Sequence, residues 1–200
     1  MDERTGPEGL AGLLLAAGGG RRLGGRAKAL LPHRGRPLVE HAVRVLRDAG
    51  CGTVYVVLGA AREQVREQAR LEGCVLLDNP DWEDGMGCSL RLGLRALAPV
   101  ARGAVVSLVD QPGIGAAAVA RVAAAFRGPD TLAAASYGGR RGHPVLLGRD
   151  HWAAVADTAS GDQGARAYLR AHATGLTLVE CGDVADPADI DTPADLSRLG

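Results

Sequence analysis

Short apolar runs alternate with amphipathic stretches along most of the chain. The first run, residues 13–17 (LLLAA), has no polar position to face water, which predicts a strand covered on both faces. Residues 53–58 (TVYVVL) and 104–109 (AVVSLV) carry the same pattern, and 75–77, 132–137, 144–147 and 176–181 predict further strands. Between them the period changes. In 37–49 (PLVEHAVRVLRDA) the apolar positions Leu38, Ala42, Val43, Val45 and Leu46 fall at helical spacing, with Pro37 suited to a first turn and Gly50 to a stop. Residues 86–97 are helical by Leu90, Leu94 and Leu97, while 60–72 predict a polar helix and 115–126 an alanine-rich one. Further helices are predicted at 149–158, 164–172 and 193–199. Such repeated alternation predicts an α/β fold around a mostly parallel sheet. With no internal repeat or linker, residues 10–200 read as a single domain behind a loose tail at 1–9.

Composition narrows the partners. Lysine plus arginine and aspartate plus glutamate both number 23, and aromatic residues are 3% of the chain. Neither a global field nor a stacking platform recommends a nucleic acid. The first apolar run is too short to span a bilayer, and the segment before it carries Asp2, Glu3 and Glu8 against Arg4, unlike the positive start of a signal peptide. No membrane partner is expected. Cys51, Cys74, Cys88 and Cys181 lie far apart without C-x-x-C spacing, which predicts buried reduced thiols, a cytoplasmic protein and no zinc site.

Candidate chemistry begins where the first strand ends. Gly18, Gly19 and Gly20 break the apolar run, Gly24 and Gly25 extend the loop, and Arg21, Arg22, Arg26 and Lys28 place four cations on it. Bare backbone amides followed by cations suit a polyphosphate. A flexible basic loop after an ordinary strand is the plainer alternative. A dinucleotide fingerprint starting at Gly18 fails at Leu23, and a P-loop starting at Gly19 fails at Gly25 and Arg26. Asp110 follows the strand at 104–109 and precedes Gln111 and Pro112. Beyond the carboxyl end of a parallel strand, such a carboxylate shares a crevice with the glycine loop and suits Mg²⁺, although it could equally cap the next helix. Three more blocks stand out: Asn79 to Leu90 with Trp82, Gly85, Gly87 and Ser89; Arg140 to Pro144; and Gly161 to Arg166. Turns and helix caps account for parts of each. The last block, Asp189-Ile190-Asp191-Thr192-Pro193, offers two carboxylates that an inward Ile190 would turn together to the other face. Asp191, nearer Pro193, reads as the helix cap and Asp189 as the ligand.

Leu15-Ala16-Ala17-Gly18, Arg22, Gly24 and Lys28 resemble the L-A-A-G-x-S-x-R-M-G-x-x-K signature of the MobA-like nucleotidyltransferases. Gly20 stands where serine is usual, Leu23 where methionine is usual, and Lys28 falls one place late. The N-P-x-W, G-H-P, G-D-x-G-A-R and D-I-D-T-P blocks of that family follow in order, with Ala194 in place of a glutamate. The resemblance implies a three-layer α/β/α sandwich of the nucleotide-diphospho-sugar transferase type (GT-A-like, Rossmann-like). It also implies transfer of a nucleotidyl group from an NTP to a phosphorylated small-molecule acceptor, with release of pyrophosphate. The LAAG opening is similar to the group that uses CTP rather than GTP and acts on the molybdenum cofactor, whose further partner would be an apo molybdenum enzyme. A sugar or cyclitol phosphate acceptor and a non-catalytic nucleotide-binding accessory protein are the alternatives.

By this resemblance Leu15, Ala16, Ala17, Gly18, Gly19, Gly20, Arg22, Lys28, Asn79, Ser89 and Asp110 bind the nucleotide. Trp82, Gln111, Pro112, Gly142, His143, Pro144, Asp162 and Arg166 face the acceptor. Arg22, Lys28 and Asp110 carry the catalysis, and Asp110 with Asp189 holds Mg²⁺, with Mn²⁺ as a substitute.

Overall fold

The computed structural model describes residues 9–199. Most of the tail expected at 1–9 lies outside them.

Seven strands form one sheet in the order β5-β4-β1-β6-β8-β7-β9. Its first half is made of β1 (Leu10–Ala16), β4 (Val54–Leu58), β5 (Cys74–Asp78) and β6 (Gly103–Leu108), all parallel. The helices α1 (Leu38–Asp48), α2 (Arg62–Gln68) and α3 (Met86–Ala96) connect these four in turn. After α4 (Ala116–Ala123) come β7 (Leu132–Tyr137), β8 (Arg140–Gly148), α5 (Trp152–Thr158), α6 (Arg166–Ala171) and β9 (Leu176–Glu180). β8 runs antiparallel to both β6 and β7, while β9 is parallel to β7.

Alternation along the strands divides the core. Leu14, Val56, Val105 and Leu146 pack with Val39, Val43 and Leu46 of α1 and Val119 and Val122 of α4. Leu13, Leu15, Val57, Val106 and Leu147 pack on the other face with Leu90 and Leu94 of α3 and Val155 of α5. All seven residues of β1 are buried, because it has a strand on either side and helices above and below. Burial of a leucine side chain contributes roughly 2 kcal/mol, so this strand anchors the sheet. The result is the expected three-layer α/β/α sandwich.

Several elements differ from expectation. The polar helix forms only over Arg62–Gln68, since Ala61 takes a left-handed φ of 56° and cannot belong to it. The stretch expected at 144–147 is a nine-residue strand, whose polar first half pairs with β7 where the apolar pattern is silent. Residues Pro193–Leu199 form 3₁₀ rather than α-helical turns, as do Arg149–His151 ahead of α5. A two-residue hairpin, β2 (Pro32–His33) with β3 (Arg36–Pro37), escaped the sequence pattern because strands so short carry no period.

The chain leaves β1 toward β4 on one side, and β5 returns through α3 to β6 on the other. Strand order thus reverses between β1 and β6, and the crevice beyond their carboxyl ends is where an open α/β sheet binds ligands.

Candidate active site

The glycine loop leaves β1 at that point. Gly20 has φ 59°, and its carbonyl accepts the amides of Leu23 (2.8 Å) and Gly25 (3.1 Å). A Cβ at this position would lie 2.0 Å from the carbonyl oxygen of Arg26, so any larger residue would force the loop to refold. The glycine found where the signature has serine therefore has a backbone reason. Trp82 lies against Gly19, where a Cβ would come within 2.8 Å of its ring. Buried Leu23, Ala29 and Leu31 pin the loop while Arg21, Arg22 and Arg26 stay exposed.

Lys28 reaches across the crevice. Its Nζ donates to Asp110 Oδ2 at 2.6 Å and also to Asp191 Oδ1, while Arg22 Nη1 lies 3.7 Å from Asp191 Oδ2. Burial works against the lysine's charge, but Asp110 and Asp191 outweigh it and hold its pKa above the usual value. Ile190 is fully buried and its amide donates to the Asp110 carbonyl (2.8 Å), which brings Asp189 and Asp191 alongside Asp110. Asp189 accepts from Gln111 Nε2 (2.8 Å) and has no ion pair among the described residues. Burial, and then the charge of Asp110, push its pKa up. The cap expected of Asp191 belongs instead to Asp195. Its Oδ2 accepts the amides of Asp191 (3.2 Å) and Thr192 (2.8 Å) and the Thr192 hydroxyl (2.8 Å). That leaves Asp191 free to face the lysine.

Around these groups lies a cavity of about 1000 Å³ with an apolar floor of Leu15, Val106, Leu108, Val145 and Leu147. Ala17, Gly18, Gly19, Gly20, Arg22 and Lys28 line its glycine-loop end, with Trp82 and Ser89 beside them. Asp110, Gln111 and Asp189 stand in the middle, Gly142, His143 and Arg166 at the far end, and Asp162 lies against Gly85 of the Trp82 loop. Four expected residues do not line it: Ala16, Asn79, Pro112 and Pro144. Asn79 is buried with its amide fully engaged, Nδ2 donating to Ser89 Oγ (2.9 Å) and Cys88 Sγ (3.1 Å) and Oδ1 accepting from Asp81 N (3.1 Å). It ties the Trp82 loop to α3 and touches no ligand space. Gly87 serves a different junction, that of α3 with the loop after α5, since a Cβ there would lie 2.5 Å from the Ser160 amide nitrogen.

The far end is cationic. Arg140, Arg141 and Arg166 line it and have no ion-pair partner among the described residues. Burial, then Arg166 and Arg170, lower the proton affinity of Arg141. His143 is pushed down to about 4, by burial first and then by Arg166 and Arg141, so it is neutral at pH 7. Its carbonyl accepts the Tyr137 hydroxyl at 2.6 Å. Sequence reasoning singled out the block holding Arg140 and Arg141 but gave neither a place in the site, and it missed Tyr137 as a cavity residue.

Among the described residues no group of three or more His, Cys, Asp or Glu is placed to hold a metal by itself. The donors nevertheless fit a hard divalent cation whose shell is completed by phosphate and water. Asp189 crowds against Asp110 without a cation of its own, and hard oxygen ligands are the type such ions take.

The MobA-like NTP transferase domain family matches residues 12–176. Nicotine blue oxidoreductase of Paenarthrobacter nicotinovorans is 41% identical over 197 residues, covering 95% of this chain and 96% of that protein. Molybdenum cofactor guanylyltransferase of Rhodobacter capsulatus is 30% identical over 200 residues, 94% of each chain. A manganese complex of Rv0371C from Mycobacterium tuberculosis H37Rv is similar in structure with a TM-score of 0.77 at 28% identity, covering 95% of this chain and 97% of that one.

Proposed function

The chain belongs to the MobA-like NTP transferase family, and on that premise we infer that it moves a nucleotidyl group from CTP to the phosphate of a molybdopterin-class acceptor. The observation that carries this reading is the polarity of the cavity. Bare amides and cations lie at the β1 end, three arginines without an ion-pair partner among the described residues at the other, and Asp110 between them. Two anionic substrates placed end to end fit such a site.

An acceptor phosphate oxygen attacks the α-phosphorus in line, the bond from that phosphorus to the β-phosphate bridging oxygen breaks, and pyrophosphate leaves with the bonding pair. The amides of Gly18, Gly19 and Gly20, with Arg22 and Lys28, hold the departing phosphates and offset the charge that grows there. Asp110 and Asp189 would hold Mg²⁺ or Mn²⁺, which when bound neutralises phosphate charge. His143, neutral and with a pKa of about 4, serves as a hydrogen-bonding contact to the acceptor rather than as a base. No covalent nucleophile is required. CTP rests on the resemblance of Leu15-Ala16-Ala17-Gly18 alone, and the guanylyltransferase relative makes GTP the direct competitor. Four free cysteines agree with a cytoplasmic setting, and among the described residues no helix is long and apolar enough to cross a membrane.

Pyrophosphate release measured with each of the four NTPs, Mg²⁺ and molybdopterin tests the reading. Turnover with CTP is expected, a GTP preference overturns the base assignment, and no release with any NTP overturns the transfer. The 41% identity to nicotine blue oxidoreductase supports a second reading, a redox reaction of nicotine blue in the same cavity. A change in the redox state of nicotine blue without pyrophosphate release would select it.

A further inference from the structure

The turn that joins β7 to β8 is held from outside itself. Gly138 and Gly139 both have positive φ, 59° and 78°, and the amides of both donate to a residue outside the turn. One carboxylate gathers them. Glu180, the last residue of β9, accepts from Gly138 N (3.0 Å) and Gly182 N (3.0 Å) on Oε1. On Oε2 it accepts from Ser136 Oγ (2.8 Å) and Gly139 N (3.4 Å). Ser136 is buried, and its register places it opposite Glu180 in the parallel pair. These hydrogen bonds hold the Glu180 pKa down at about 2, so the carboxylate keeps its charge at any working pH.

This turn launches Arg140, Arg141, Gly142 and His143 into the far end of the cavity. Among the described residues these arginines have no ion-pair partner, and Arg166 repels Arg141, so their placement depends on the backbone beneath. The segment is also held by the Tyr137 hydroxyl on the His143 carbonyl and by the β7–β8 pairs Ser136–Arg141 and Tyr137–Arg140, while Glu180 itself does not line the cavity.

We propose that Glu180 is a positioning residue that sets the β7–β8 turn so that Arg140 and Arg141 form, with Arg166, an anion-binding arm. The proposal rests on reading that end as the acceptor end. It deepens the reading by requiring a phosphate-bearing acceptor and by making the arm separable from the nucleotide loop. Without the carboxylate, three amides and the Ser136 hydroxyl lose their acceptor, the turn relaxes, and the arginines no longer converge on one anion.

The test uses the full chain and inorganic phosphate, followed by backbone amide shifts, with CTP as the control ligand for the loop. Wild type should show phosphate-dependent shifts at 140–143. Glu180→Ala should weaken that titration about fivefold or more, as expected for lost hydrogen bonds, and leave CTP affinity at the amides of Gly18 to Gly20 within twofold. Glu180→Gln keeps an acceptor oxygen and should recover part of the affinity, and Ser136→Ala, which removes one donor, should lose less. Phosphate affinity in Glu180→Ala equal to wild type overturns the role, as does parallel loss at both ends or the absence of wild-type shifts at 140–143. Because no turnover is measured, a failure of the transfer reaction would leave these results standing.

Discussion

Replacing Lys28 with methionine removes one charge and little volume from the centre of the site. The lysine side chain is 13% exposed, against 20% for Asp110 and 41% for Asp191. Breaking a fully buried pair costs about 3–5 kcal/mol, and an exposed pair about 0–1. These exposures fall between the two limits, so about 2 kcal/mol is the expected loss for Lys28→Met. In a domain of this size that lowers the Tm by roughly 4–8 °C. The folded pKa of Lys28 is raised, so its contribution is fully present below the ordinary value of 10.5 and fades only as pH climbs through the folded value. Measurement at pH 7 therefore reads the whole effect.

The variant also leaves Asp110, Asp189 and Asp191 together, with Arg22 the nearest cation at 3.7 Å from Asp191. A divalent ion can then take the place of the ammonium. Mn²⁺ at about ten times its Kd would add roughly 1.4 kcal/mol to the variant, and less to wild type, where the lysine already occupies the carboxylates. Thermal unfolding of both proteins, with and without Mn²⁺, checks each arm. A Tm within a degree of wild type, or equal Mn²⁺ shifts in the two proteins, would refute the reasoning.

Gly20→Ala must hold a side chain at φ 59° with its Cβ 2.0 Å from the Arg26 carbonyl, so the loop refolds; CTP affinity by calorimetry should fall about tenfold, a loss of roughly 1.4 kcal/mol. Unchanged affinity would remove the loop from the phosphate site. His143 has its folded pKa at about 4 against 6.5 when free, so the unfolded chain takes up the proton first and stability is lost as pH falls from about 6.5 toward 4. His143→Gln should flatten that limb in denaturant titrations at pH 7 and pH 5, and an unaltered slope would show that the ring titrates normally.

Much of this molecule was readable in one dimension. A continuous apolar run can be satisfied only between neighbouring strands and helices, which is why β1, β4 and β6 emerged from residues 13–17, 53–58 and 104–109 with errors of a few residues at most. Glycines and cations after the first run, and Asp110 after another, belong together because parallel strands direct their carboxyl ends to one side of the sheet. Composition and order along the chain are enough for that conclusion.

Other assignments depended on distances between residues far apart in sequence. Asp189 and Asp191 look alike in the chain. Nearness to Pro193 assigned the cap to Asp191, and only the Asp195 contacts and the reach of Lys28 across 163 positions show that Asp191 faces the lysine instead. Asn79 reads like a binding residue until its amide is found engaged by Cys88, Ser89 and Asp81. Glu180 has no local signal at all, since its four donors come from β7, the following turn and Gly182. Periodicity reports which face of an element is dry, a property of neighbours in sequence. Which carboxylate meets which donor is settled by how the sheet brings distant loops together, and that information exists only in the folded chain.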